Sequence, residues 1–181
     1  MAAYGQGIFP MGDDQGIKWY SPDPRAVFPL DAFHVPKTLA KTIRQGKFDV
    51  RVDTAFEEVL RGCAGRDDTW ITREIHDSYT GLHKLGLAHS VEAWQDGALV
   101  GGLYGVALGG AFMGESMFSR RPDASKVCLV FLVERMRERG FTLLDSQFPT
   151  EHLMRFGQVL IRRDAYLEQL AAALLLRPRF T

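Results

Sequence analysis

The run "GGAFMGESMFS" at residues 109–119 carries a glutamate, Glu115, at the centre of a segment that is otherwise typical of a buried strand. Strict alternation of side chains would place Met113, Glu115 and Met117 on one face of this strand. A carboxylate between methionines needs a partner or a chemical purpose, because burying an unpaired charge costs free energy. We therefore interpret Glu115 as a candidate functional residue, with a purely structural role as the alternative.

A second polar pair lies in the segment "LLDSQF" at residues 143–148. Asp145 and Gln147 share one parity of the predicted strand, so an acid and an amide would project side by side. An acid can steer an amine and collect its proton, while an amide can position a carbonyl group. The alternative is that both side chains end the strand in solvent, and the spacing alone does not decide between the two.

Other familiar chemistries fit the sequence less well. "GESMF" has Phe118 where the G-x-S-x-G elbow requires glycine, which disfavours Ser116 as a nucleophile. The five histidines form no H-x-x-x-H or H-E-x-x-H pair, so we expect no metal site. Cys63 and Cys128 lack a C-x-x-C spacing, and we predict that both are small core residues in a reducing compartment.

The composition narrows the function classes further. The 181 residues are 46% apolar, which suits one compact domain, and 22 Lys and Arg balance 22 Asp and Glu. This balance excludes a strongly basic nucleic-acid coat, although a local basic patch stays possible. The sequence has no secretory signal and no apolar run of membrane-spanning length, so we expect a cytoplasmic protein without a membrane partner.

Such a patch is present on the first regular helix. Lys37, Lys41 and Arg44 follow one another at i, i+4 and i+7, opposite the apolar Leu39 and Ile43. A stripe of this kind is usually a solvated face. It can also bind phosphates, which supply affinity without reading sequence.

The elements that must position these residues follow from periodicity and turn signals. Helical spacing predicts helices over 36–45, 53–64, 72–85 and 124–139, then a short helix ending at Gly157 and a last helix from Asp164. Alternating or apolar runs predict strands over 88–95, 98–107, 111–118 and 141–148. "QDGA" and "LGG" provide turns that join the first three strands as an antiparallel meander.

The first 24 residues differ in composition from the rest of the chain. They are rich in Gly, Pro and Asp and hold only short apolar pieces. We predict an N-terminal arm over 1–24 without a core of its own, followed by one domain over 25–181.

The order of meander, helix, strand and helix resembles GNAT acyltransferases and implies an α/β (α+β) fold with a mixed sheet flanked by helices. Such acetyltransferases normally place a glycine-rich, basic turn before the central helix, where backbone N–H groups hold the pyrophosphate of coenzyme A. The corresponding segment here is "SRRPDASK", with two arginines and no glycine. Acyl-CoA binding is therefore weakly supported, and another acyl carrier is favoured.

Longer motifs resemble one family closely. "GIFPM", "WYSPDPRAVFPL", "LVGGLYGVALGGAFMGESMFSRRPDASK" and "LLDSQF", in this order, are similar to bacterial leucyl/phenylalanyl-tRNA–protein transferases, and the likeness covers nearly all of the chain. The resemblance implies transfer of Leu, Phe or less often Met from aminoacyl-tRNA to an N-terminal Arg or Lys of a protein, which marks that protein for Clp-dependent degradation. It implies no cofactor.

The sequence departs from the family at two places. Family members generally carry more residues before "GIFP", so the arm over 1–24 corresponds to a remnant of their small N-terminal domain. They also tend to have a tryptophan where this chain has Met11. An aromatic contact to the end of the tRNA is therefore replaced or absent here.

The resemblance also implies roles for individual residues in four groups. The groups are the polar catalytic cluster of Glu115, Asp145 and Gln147; the terminal adenosine site of Trp70, Phe112 and Met11; the pocket for the transferred side chain, formed by Leu103, Leu132, Met136 and Leu144; and the tRNA-backbone patch of Lys37, Lys41 and Arg44.

Three functions therefore stay open from the sequence. The first is aminoacyl transfer from tRNA to a protein, the second is a GNAT-type N-acyltransferase that uses acyl-CoA, and the third is an RNA-binding module without catalysis. The missing glycine turn disfavours the second. The neutral charge and the polar residues predicted on strands disfavour the third.

Overall fold

The computed structural model describes residues 1–65 and 69–181 of the chain. These residues form seven α-helices: α1 (Ala2–Gly5), α2 (Lys37–Arg44), α3 (Phe56–Ala64), α4 (Arg73–Lys84), α5 (Ala124–Arg139), α6 (Glu151–Met154) and α7 (Arg163–Leu174). None of the helices in these ranges combines the length and the apolar character that a membrane span requires.

Nine strands accompany the helices: β1 (Phe9–Asp13), β2 (Gly16–Tyr20), β3 (Arg25–Phe28), β4 (Asp49–Val52), β5 (Ala88–Gln95), β6 (Ala98–Leu108), β7 (Ala111–Ser119), β8 (Leu143–Gln147) and β9 (Val159–Ile161). The first two form an antiparallel hairpin of their own. The other seven form one mixed sheet in the order β4-β5-β6-β7-β8-β3-β9.

The predicted meander is confirmed as the centre of this sheet. β5 pairs antiparallel with β6, and β6 pairs antiparallel with β7. The β5–β6 turn places Asp96 and Gly97 at φ 52° and 76°, and the β6–β7 turn places Gly109 at φ 56°. A chain reversal between two residues needs this left-handed backbone, which Asp-Gly adopts readily.

The strand β8 completes the arrangement by returning parallel to β7 after the crossover helix α5. The two strands pair only from Ala111 to Met113 and from Leu143 to Asp145, and beyond this point they separate. The order of meander, helix, parallel strand and further helices confirms the predicted α/β, GNAT-like class. The separation opens a gap in the middle of the sheet.

A hydrophobic core lies on each face of the sheet, between the strands and the helices that cover them. The face covered by α3, α4 and α7 is called here the α3 face, and Phe56, Ile75 and Tyr166 are among its buried residues. The face covered by α2 and α5, against which Leu153 of α6 also packs, is called the α5 face. Cys63 and Cys128 are buried, one on each face, as predicted.

The structure differs from the sequence prediction at several boundaries. Asp53 was predicted to begin a helix, but α3 begins at Phe56. Asp53 instead adopts φ 58°, and its carboxylate accepts a hydrogen bond from the backbone of Ser90. The short strands β3, β4 and β9 were not predicted, because segments of three or four residues carry too little periodicity to be recognised.

The N-terminal residues pack against the α3 face. Tyr4 and Phe9 belong to its buried core, and the backbone N–H of Gly12 donates to the carbonyl of Trp70. A separate core for residues 1–24 is not seen. The division of the chain into an arm and one larger domain stays a prediction.

Candidate functional site

A cavity of about 400 Å³ lies where β7 and β8 separate. Its walls are apolar for the most part, with Phe28, Leu103, Leu129, Leu132, Leu144 and Leu153 among the lining residues. Its polar lining residues include Ser116, Ser146, Thr150 and His152, together with Glu115, Asp145 and Gln147; the last three are called here the polar end. The volume is in the range of small-molecule pockets, and few polar groups converge on a mostly apolar wall, as such pockets require.

The structure brings most of the predicted site residues together at this cavity. The predicted residues that line it are Glu115, Asp145, Gln147, Trp70, Leu103, Leu132 and Leu144. Three predicted residues, Met136, Phe112 and Met11, lie outside its lining. Lys37, Lys41 and Arg44 are exposed on α2.

Glu115 reaches the cavity because β7 contains a bulge. Gly105 pairs with Gly114 and Tyr104 pairs with Ser116, so Glu115 has no residue opposite it on β6. A bulged residue re-aims its side chain and shifts the alternation after it. The predicted common face of Met113, Glu115 and Met117 is therefore wrong, since Met113 packs in the α3-face core and Met117 packs against the α5-face core.

The Glu115 carboxylate is held by a tyrosine pair on the α3 face. The hydroxyl of Tyr4 donates to Oε1 of Glu115 over 2.7 Å, and the hydroxyls of Tyr4 and Tyr79 are 2.5 Å apart. Burial raises the pKa of Glu115 to about 7, against the lowering effect of these tyrosines. The group therefore changes its charge within the physiological pH range, which is unusual for a carboxyl.

Asp145 is completely buried and fully paired. Its Oδ1 accepts from Nε of Arg25 over 2.9 Å and from the backbone N–H of Gln147 over 3.0 Å. Its Oδ2 accepts from Nη2 of Arg25 over 2.6 Å and from the hydroxyl of Tyr166 over 2.8 Å. Two carboxylate oxygens offer about four acceptor positions, so little capacity is left for a further ligand.

Arg25 is the counterpart that stabilises this charge. Only 1% of its surface is exposed, and its planar group lies 4.8 Å from the ring centre of Phe9 and 4.4 Å from that of Tyr166. Its Nη1 donates to the carbonyl of Gly7. Burial alone would lower the pKa of Arg25, but the bidentate pair with Asp145 raises it.

Gln147 departs from the regular strand. The register of β3 against β8 shifts between Ala26 and Val27, and Gln147 adopts φ 60°. The side chains of Asp145 and Gln147 both line the cavity, as the shared parity predicts, and the alternative that they end the strand in solvent does not apply, since both are buried. Within the described residues, Nε2 of Gln147 is buried without a hydrogen-bond partner, which makes it a donor available to a ligand.

The predicted adenosine residues are separated in the structure. Trp70 lines the cavity, and Met11 lies on β1, whose Gly12 bonds to the backbone of Trp70. Phe112 is fully buried on the α5 face, where its ring stacks on Phe180 with the centres 5.1 Å apart. The structure therefore does not bring Trp70 and Phe112 together as two sides of a base-binding slot.

Met136 lies on α5, one turn after Leu132. It is fully buried in the α5-face core. It supports the apolar wall from behind and does not line it.

Four residues of the site were not predicted from the sequence: Arg25, Tyr4, Tyr79 and Tyr166. Arg25 did leave a signal, because a charge at the start of the apolar run "RAVF" requires a partner when the run is buried. The sequence gives no such signal for the three tyrosines. Each lies in an ordinary helical or turn context, and its contact with Glu115 or Asp145 spans a long stretch of sequence.

Comparison with known sequences gives one consistent result. The sequence model of the family described as "Leucyl/phenylalanyl-tRNA protein transferase" matches residues 27–171, and the model of that family's N-terminal domain matches residues 1–23. A leucyl/phenylalanyl-tRNA–protein transferase of Paramagnetospirillum magneticum is 56% identical, over 96% of this chain and 87% of that protein. One of Herpetosiphon aurantiacus is 58% identical, over 94% and 90%.

Among solved structures, a conserved protein of unknown function from Staphylococcus epidermidis has a similar fold. The TM-score is 0.51 at 10% identity, over 89% of this chain and 62% of that one. At this identity the likeness concerns the fold alone.

Proposed function

Because the chain belongs to the leucyl/phenylalanyl-tRNA–protein transferase family, we propose that it transfers Leu or Phe, and less often Met, from aminoacyl-tRNA to the amino terminus of acceptor proteins. The acceptors begin with Arg or Lys, and the added residue marks them for degradation. The observation that carries the proposal is the single cavity that joins an apolar wall to Glu115 and to the free amide donor of Gln147.

An aminoacyl ester fits the two halves of this cavity. The apolar half formed by Leu103, Leu132 and Leu144 accepts the side chain of the transferred residue. At the polar end, Glu115 accepts hydrogen bonds from the α-ammonium group of that residue, a charge-assisted interaction. Residues branched at Cβ fit less well, because the branch crowds the entrance next to the polar end.

The reaction exchanges an ester for an amide. The acceptor amine attacks the ester carbonyl carbon, the C–N bond forms, the bond to the ribose oxygen breaks, and the proton released by the amine passes to that oxygen. Nε2 of Gln147 donates to the carbonyl oxygen, whose negative charge grows during the attack. Asp145 acts on Gln147 through the backbone N–H and is thus a positioning residue.

No strong base is needed for this step. An α-amine has a pKa of about 7.7–8.0, so removing its proton at pH 7 costs only about 1 kcal/mol. This agrees with the pairing of Asp145, whose two oxygens are already occupied by Arg25, Tyr166 and the backbone of Gln147.

The direct test incubates the protein with Phe-tRNA carrying radiolabelled Phe and with an acceptor protein that begins with Arg. We expect label in the acceptor protein, less label in an acceptor that begins with Ala, and none from phenylacetyl-CoA run in parallel. Label only from the thioester would support an acyl-CoA-dependent enzyme, and binding of tRNA without transfer would support a binding module.

The variant Leu103→Trp tests the side-chain pocket. Leu103 is 4% exposed and lines the cavity, so the larger ring enters an existing space and the folding free energy changes by less than about 1 kcal/mol. We expect Phe transfer to fall about tenfold, because the space for the substrate ring is filled. Initial transfer rates and urea unfolding measure the two quantities.

A matched control is Val100→Trp on the same strand. Val100 belongs to the α5-face core and does not line the cavity, so overpacking should lower stability by about 1–3 kcal/mol. Transfer by the folded fraction should stay near wild type. Unchanged Phe transfer by a well-folded Leu103→Trp variant would remove Leu103 from the pocket.

A further inference from the structure

On the α5 face of the sheet, α2 contacts α5, and α5 and α6 both line the cavity. Their inner residues Leu39, Val127 and Leu153 all pack with that face's core. Their outer surfaces are therefore neighbours, whereas α3, α4 and α7 cover the opposite face. A ligand that lies along α2 can continue over the start of α5 and reach α6.

The start of α5 connects directly to α2. The hydroxyl of Thr42 on α2 donates to Oδ2 of Asp123, and Nζ of Lys126 donates to Oδ1 of the same carboxylate over 2.8 Å. The pKa of Asp123 is lowered, chiefly by Lys126 and in part by the charge of Lys47. Asp123 thus connects the hydroxyl of Thr42 on α2 to the ammonium of Lys126 on α5.

The same surface continues to the cavity. His152 on α6 lines the cavity, and its ring packs edge-on against Phe156. Burial lowers the pKa of His152, and the positive charges of Lys126 and Arg155 lower it further. Leu129 on α5 also lines the cavity, and Lys126 lies one helical turn before it, while Arg155 lies one turn after His152 at the end of α6. Both cations are therefore near the rim of the cavity.

The surface from α2 to the rim carries an excess of positive charge. Along α2, the first turn of α5 and α6, with the residues that flank them, the cations are Lys37, Lys41, Arg44, Lys47, Lys126 and Arg155, and the anions are Asp123 and Glu151. Glu134 and Glu138 lie further along α5. Asp123 occupies one of the three donor positions of Lys126, so that ammonium can bind a further anion. Arg155 is exposed, and its fork suits a phosphate.

We propose that Lys126 and Arg155 bind the sugar–phosphate backbone of the single-stranded end of the RNA and connect the basic face of α2 to the cavity. This proposal rests on the proposed function. The terminal nucleotide places its ester in the cavity, and the phosphates just before it pass over the start of α5 and α6. Contacts with phosphates give affinity without sequence preference.

The test compares substrates that differ in the number of phosphates. Phenylalanyl-adenosine carries none, a phenylalanyl oligonucleotide ending in CCA carries those next to the ester, and Phe-tRNA carries all of them. For the double variant Lys126→Ala/Arg155→Ala, we expect the preference for the oligonucleotide over phenylalanyl-adenosine to fall about three- to tenfold at low salt. The log–log salt dependence of oligonucleotide binding should flatten by about 1 to 1.4, for two lost phosphate contacts on a single strand.

Two further variants locate the effect. Lys37→Ala/Lys41→Ala should weaken the binding of Phe-tRNA more than that of the oligonucleotide, because α2 lies further from the cavity than the rim does. Lys84→Ala removes an exposed cation at the end of α4 on the opposite face and serves as the matched control, with no change for either substrate. Circular dichroism checks that each variant is folded.

The outcomes separate this proposal from the function on which it rests. If the wild-type protein transfers Phe but the double variant keeps the full preference for the oligonucleotide and its salt dependence, the phosphate contacts at Lys126 and Arg155 are overturned and the function stands. If the wild-type protein transfers from none of the three substrates, the proposed function fails.

Discussion

Replacing Arg25 with methionine is expected to lower the free energy of unfolding by about 3–5 kcal/mol, the cost of breaking a buried ion pair from one side. Arg25 and Asp145 are 1% and 0% exposed, so water cannot take the place of the lost partner. Asp145 would keep a buried charge that only Tyr166 and one backbone N–H stabilise. Urea unfolding followed by circular dichroism measures the change.

Two companion variants define the origin of this loss. Tyr166→Phe removes one hydrogen bond to the charged carboxylate of Asp145 and a longer one from Nη2 of Arg25, and it should cost about 1.5–3 kcal/mol, less than the loss of Arg25. In the double variant Arg25→Met/Asp145→Leu no unpaired charge is left, so it should be more stable than Arg25→Met alone. The single variant Asp145→Leu completes the comparison. If the double variant loses as much free energy of unfolding as Arg25→Met and Asp145→Leu lose together, the ion pair contributes nothing beyond packing.

The second large effect is expected for Glu115→Gln, which keeps the shape of the side chain and removes its charge. The charge-assisted hydrogen bond to the α-ammonium group of the bound residue is lost. The preference for aminoacylated over deacylated tRNA, as a difference in binding free energy, should therefore be about 1–3 kcal/mol smaller for the variant than for wild type. Filter binding of Phe-tRNA and deacylated tRNA measures this preference. Equal preferences in the two proteins would leave Glu115 with a structural role only.

The same preference should depend on pH in a defined direction. The carboxyl of Glu115 has a pKa raised to about 7 by burial, so below pH 7 it is protonated and the preference for charged tRNA should fall. Above about pH 7.7–8.0 the α-ammonium group loses its proton and the preference falls again. Wild type should therefore show a maximum between these values, and Glu115→Gln should show no loss on the acid side.

The central sheet could be predicted because its signals are local. The turns at Asp96–Gly97 and Gly109 mark the ends of strands, and Gly140 marks the end of α5 with φ 79°. The partners of Lys37, Lys41 and Arg44, by contrast, could not be found in this way. Lys126 is far away from α2 in the sequence, and the structure connects the two through Asp123, which accepts hydrogen bonds from both Lys126 and Thr42 of α2.

The site could be predicted in its polar members but not in its geometry. Alternation identified Glu115 and Asp145 as unusual, yet the bulge at Glu115 and the positive φ of Gln147 depend on how neighbouring strands fit together. The adenosine role of Phe112 stays a prediction. A family role at the adenosine implies access to solvent, whereas the ring is covered by Phe180, which lies 68 positions later in the chain and carries no periodicity of its own.

The hydrogen bonds between Tyr4 and Glu115 and between Arg25 and Asp145 join parts of the chain that are 111 and 120 positions apart. Closing the long loops between these residues costs conformational entropy. Contacts between residues so far apart in the sequence therefore form late in folding. The polar end of the cavity thus exists only when α1 and β3 have packed against β7 and β8. A nascent chain that has already folded its meander therefore still lacks the arranged polar end of the cavity, which is complete only after synthesis of the chain has passed Tyr166.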